Sequence, residues 1–140
     1  MGKINTSRVI IAGIAAGVVV NVGEALSNLV IFANQLAPVM ESMGVAEPGG
    51  AQIGMYNLLG LACGITVAWI YAAMRPRLGP GPSAGVCAGL VAWALFSLFN
   101  WINFMIAGLV PVGLALAITV YQAVEFSAAG LIAGMLYKED

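Results

Sequence analysis

The sequence predicts an all-α protein, a bundle of four transmembrane helices forming one integral membrane domain over residues 1–140. Three observations lead there. Charge is scarce, with five basic and six acidic residues in 140. Apolar residues make up 61% of the chain. They gather into four segments, residues 8–34, 53–74, 83–108 and 112–137. Each can supply the roughly 20 residues that a helix needs to cross a bilayer. The lipid bilayer is therefore the first partner the chain implies.

The first segment begins after Lys3 and Arg8, a pattern that a secretory signal shares. Its apolar run is longer than a signal core and carries Glu24 and Asn28, so it reads as a retained first span. Pro38, Pro48, Gly49 and Gly50 mark the loop that follows, with Pro38 to Val45 forming a short interfacial turn or helix. The second span ends at a stiff connection containing Arg75, Pro76, Arg77, Gly79, Pro80, Gly81 and Pro82. A tight turn around Pro111 joins the third span to the fourth.

All five basic residues fall at one end of the predicted bundle: Lys3, Arg8, Arg75, Arg77 and Lys138. The positive-inside rule then places both termini in the cytoplasm and the Glu41–Glu47 loop outside, in what reads as a bacterial inner membrane. Trp69, Tyr71 and Tyr137 fit interfacial anchors.

Every span contains glycines four apart: Gly13/Gly17, Gly60/Gly64, Gly85/Gly89 and Gly130/Gly134. Such pairs let two helix backbones approach closely, which matters where the hydrophobic effect cannot drive association. An offset of 72 residues also aligns the first span with the third, matching Gly13 with Gly85, Gly17 with Gly89 and Asn28 with Asn100. A parallel 2+2 repeat is the expectation, as in some transporters.

At about 100° per residue, Gly13, Gly17, Asn21, Glu24 and Asn28 share one face of the first span. Gly85, Gly89, Phe96, Asn100 and Asn103 share a face of the third, and Asn57 shares one with Gly60 and Gly64 in the second. In the fourth, Tyr121, Gln122 and Glu125 cluster, while Gly130 and Gly134 point nearly opposite and look free for a neighbouring subunit or another protein. The expected result is a polar pocket in the outer half of the bundle, lined by Asn21, Glu24, Asn28, Asn57, Asn100, Asn103, Tyr121, Gln122 and Glu125.

A glutamate in a span is costly, and intramembrane ionisable residues usually face a cavity or partner. No basic residue is placed to pair with Glu24 or Glu125. Each must therefore be protonated or balanced by a bound cation, and the two are expected to form one site. That arrangement suits binding or moving a cation, a proton or a small polar solute, in a protein that is expected to self-associate. The other reading is an accessory subunit of a larger membrane complex, with a purely structural polar core, since amides also serve as interhelical glue.

Other classes lack their residues. The chain has no His, no nucleophile–base pair and no phosphate-binding glycine loop, so neither an enzyme nor a cofactor is implied. A net charge of −1 gives no basic footprint for nucleic acid. Cys63 and Cys87 fall at different depths, which argues against a disulfide. Met40, Met43 and Met55 could offer thioethers to Cu(I), but read better as apolar gap fillers. Small four-span multidrug exporters also carry a first-span glutamate; the length, charge bias and flanking residues here do not match theirs.

Overall fold

The structure is a computed structural model and describes residues 3–139. It is an integral membrane protein by architecture: all-helical, with four helices long and apolar enough to cross a bilayer. These spans run Thr6–Ile31, Gly50–Leu78, Pro82–Ile106 and Val112–Leu136. The second span is longer at both ends than its apolar core suggests. Gly49 donates its backbone N–H to the Gln52 side chain at the start, and the helix runs on through Pro76 to the left-handed Gly79.

Helix α1 (Thr6–Leu26) is capped by Asn5, whose side chain accepts from the Arg8 backbone N–H at 3.1 Å. It continues into a π-helical turn, Ser27–Ile31. Helix α2 (Ala33–Ser42) follows, then α3 (Gly50–Leu78). Pro82 opens α4 (Pro82–Trp93), where a fixed φ and a missing donor cost nothing. A second π turn, Ala94–Leu98, leads into α5 (Phe99–Ile106). The chain closes with α6 (Val112–Leu136).

Two glycine-to-glycine seams organise the bundle. Gly13 and Gly17 of α1 meet Ile65, Leu61 and Gly64 of α3 so closely that a Cβ on Gly13 would lie 2.5 Å from the Ile65 Cα. Gly85 and Gly89 of α4 meet Phe126 and Gly130 of α6, and a Cβ on Gly85 would lie 2.7 Å from the Gly130 carbonyl oxygen. Contacts between α1 and α6 and between α3 and α4 complete a ring, and α3 also touches α6.

The core is built of small residues. Ala12, Ala16, Ala68, Ala72, Ala84, Ala88, Ala92, Ala129 and Ala133 are fully buried. Large side chains such as Ile11, Leu58, Leu116, Val120 and Met135 face outward. Lipid is as apolar as leucine, so nothing drives those side chains inward, and small residues maximise contact between helices.

Two expectations need correction here. Gly130 and Gly134 are not free for another subunit: Gly130 packs on Gly85, and Gly134 lies against the Tyr71 ring. A helix in a ring of four has neighbours on both flanks, so facing away from Glu125 still means facing the bundle. Nor are Tyr71 and Tyr137 interfacial anchors; both are buried, stacked edge to face at 5.9 Å. The Tyr137 hydroxyl accepts from the Asn5 N–H, Arg75 lies over its ring, and Arg75 pairs with Glu139. This cluster ties both chain ends to the α3–α4 connection. At the other end, Val39 of α2 packs with Val110 and Ala115, beside Trp101 and Phe104.

Candidate functional site

The polar side chains converge on one stretch of α6, where helical spacing puts Tyr121, Gln122 and Glu125 on neighbouring positions of its inner side. Gln122 is the hub. Its Oε1 accepts from the Ser97 hydroxyl at 2.5 Å and from the Trp101 indole N–H at 2.8 Å. Its Nε2 donates to Glu24 Oε1 at 2.6 Å. The second Glu24 oxygen accepts from Asn28 Nδ2 at 3.1 Å, and the same amide donates to the Glu24 carbonyl at 2.8 Å. The Tyr121 hydroxyl donates to the Gly23 carbonyl at 2.9 Å. Side chains from the first span, α6 and the third span thus form one connected network that runs through Glu24 to Asn28.

Glu125 lies outside that network. It is 6% exposed, and neither carboxylate oxygen has a hydrogen-bond partner among the described residues. Its side chain is pressed against Gly23, the residue before Glu24; a Cβ there would lie 2.5 Å from the Glu125 Cδ. Gly23 is therefore the residue that lets the carboxylate fit between α1 and α6. The stem of Glu125 also lines a crevice of about 240 Å³ between these helices, with Val19, Val22, Gly23, Leu26, Tyr121, Val124 and Ala128. No basic side chain reaches it: among the described residues the single ion pair is Arg75 with Glu139, at the end that carries the chain termini.

The two glutamates are thus neighbours with different surroundings. Asn21 donates to the Asn57 carbonyl at 3.0 Å and binds α1 to α3. The Asn57 side chain turns back onto its own helix, donating to Ile53. Asn28 and Asn57 are exposed, as are Asn100 and Asn103.

The third span shows why its polar face was misplaced. Constant helical phase carries the buried face from Gly85, Gly89 and Ala92 onward to Phe96, Asn100 and Asn103. The π turn at Ala94–Leu98 inserts one extra residue and advances the phase by about 100°. The inward positions become Ser97, Trp101 and Phe104: Ser97 is buried and Trp101 half-buried, while Asn100 and Asn103 turn out. Ser97 and Trp101 were therefore missed by a reading at constant phase. The one signal for Trp101 is that an indole N–H in a span needs an acceptor.

Chemically, Glu24 has the donors that suit a carboxylate, which can only accept. Glu125 has none. Among the described residues no cluster of three metal-ligating side chains occurs. Compared with known protein families, with curated proteins and with solved structures, the chain matches none.

Proposed function

We propose that this chain is a small inner-membrane protein that binds or moves a cation or proton, with Glu125 as the exchanging group. The single observation that carries the reading is the buried Glu125 carboxyl without a partner. An ionised, unpaired carboxylate is too costly in that setting, so the group is held as a neutral acid until a cation replaces its proton. Glu24 nearby has donors in Gln122 and Asn28 and is tied into the polar network that joins α1, α6 and the third span.

Both termini are placed in the cytoplasm in this reading. Support comes from the basic residues and from Asn5, Arg75, Tyr137 and Glu139 meeting at one end. A 2+2 parallel repeat belongs to the same proposal. Each half pairs its two helices through glycines, and each outward-running span carries a π turn with a buried serine, Ser27 and Ser97. Self-association is also part of it; because the glycine seams are used within the chain, a second copy must bind another face.

The test is reaction with dicyclohexylcarbodiimide in liposomes at neutral pH, read by mass spectrometry. The reagent partitions into lipid and adds across a protonated carboxyl: the acid proton passes to a reagent nitrogen and the carboxylate oxygen bonds its central carbon. Glu125 should be modified and Glu24 spared. Preferential modification of Glu24, or none at either position, would overturn the proposal.

A second reading, an accessory subunit with a structural polar core, is favoured by one observation: Gln122 uses both ends of its amide to join α1, α6 and the third span. It predicts co-purification with a larger complex and no effect of Glu125→Gln on any ion flux.

A further inference from the structure

We infer that the crevice between α1 and α6 admits a lipophilic monovalent organic cation from within the bilayer, its charged centre replacing the proton of Glu125. This rests on the reading of Glu125 as the exchanging group and adds the class of cation and its route.

The chemistry of the lining selects the class. Among the described residues, the only polar side chains lining it are Glu125 and Tyr121. The Tyr121 hydroxyl proton is already committed to the Gly23 carbonyl. Calcium requires six to eight oxygen ligands and magnesium a near-ideal octahedron. One carboxylate and one hydroxyl oxygen cannot replace a hydration shell, and the valine, leucine and alanine walls would strip it without compensation. A quaternary ammonium carries its charge inside an apolar shell and needs no such ligands. Its alkyl groups suit Val19, Val22, Leu26, Val124 and Ala128, and its charge suits a carboxylate beside an aromatic ring. The Tyr121 ring is held in place by edge-to-face contact with Phe32, centroids 6.0 Å apart.

The route follows from exposure. Val22, Leu26 and Val124 line the crevice and are 54%, 46% and 68% exposed on the outer surface of the bundle. In a membrane-spanning helix that surface meets acyl chains. Both Glu125 oxygens are buried, and its side chain lies against Gly23. A rotation within the Glu125 side chain, whose stem already lines the crevice, brings the carboxylate to an arriving cation. The proton it gives up leaves as the cation binds, so the exchange is electroneutral.

The probes are tetrapropylammonium and potassium, with two readouts: the rate of carbodiimide modification of Glu125 in liposomes, and equilibrium binding to the protein in lipid nanodiscs. Tetrapropylammonium should slow modification by about tenfold, and potassium by less than about twofold. Binding of tetrapropylammonium should fall about tenfold in Glu125→Gln and in Val124→Trp, and stay within about threefold of wild type in Glu47→Gln, a carboxyl in the exposed loop before α3. Val124 is exposed, so its substitution blocks the crevice mouth without entering the core. Protection by potassium without protection by tetrapropylammonium would overturn this inference and leave the reading of Glu125 standing. Tetrapropylammonium binding unchanged in Glu125→Gln would reduce it to partitioning into lipid, and binding unchanged in Val124→Trp would remove the lateral route. Failure of Glu125 to react in the absence of any cation would overturn the underlying reading itself.

Discussion

Glu24 and Glu125 lie on facing helices, with the Glu125 side chain against the residue that precedes Glu24, yet the surroundings of the two carboxyls are opposite. Glu24 is half-exposed and accepts from Gln122 and Asn28. Glu125 is buried and accepts from nothing among the described residues. In a low-dielectric interior the donors decide what a carboxyl does. One surrounded by amide N–H groups becomes part of the scaffold. One without donors is destabilising as an anion. The same residue type, one packed contact apart, is held by amide donors in one place and has none among the described residues in the other.

The largest test of this contrast is Gln122→Leu. It removes the donor to Glu24 and leaves the Ser97 hydroxyl and Trp101 indole without their acceptor. Unsatisfied buried groups cost about 1–3 kcal/mol each, so a loss of about 3 kcal/mol is expected in thermal unfolding followed by circular dichroism. Carbodiimide should then reach Glu24 as well.

Exchanging each carboxyl for an apolar group should separate the two in sign. Glu24→Leu orphans the Gln122 amide and should destabilise by about 2 kcal/mol. Glu125→Leu breaks no hydrogen bond and removes a desolvated polar group, so it should stabilise by about 1 kcal/mol. Equal destabilisation by both would erase the distinction.

Gly23→Ala sharpens the comparison from the backbone side. The added Cβ meets the flexible end of Glu125 and not a helix backbone, so the carboxyl yields. Stability should fall by less than about 1 kcal/mol, while modification of Glu125 by carbodiimide speeds up as the group is pushed into the crevice. The smallest effect is expected at Asn100→Ala. Asn100 is exposed beyond the π turn, and its removal should change stability by less than about 0.5 kcal/mol. A loss as large as that of Gln122→Leu would mean that Asn100, and not Ser97 or Trp101, faces the core.

The residue pattern settled a good deal by itself. Scarce charge and four long apolar runs dictate four spans, because a backbone in lipid must satisfy its own hydrogen bonds and only a helix does so within one segment. Glycines four apart in every span announce close packing. Glu24, Gln122 and Glu125 could be singled out because each is expensive where it stands. What the chain could not reveal is which glycines meet, since any of the four pairs could dock on any other; only the assembled ring matches α1 with α3 and α4 with α6. Nor could it reveal the two π turns, which leave no mark in composition. One inserted residue advances every later side chain by about a quarter turn. That shift exchanged Asn100 and Asn103 for Ser97 and Trp101 on the inner face. The fate of the two glutamates was decided the same way. A carboxyl's chemistry depends on which donors lie within about 3 Å, and that distance is set by helices brought together in space, not by neighbours along the chain.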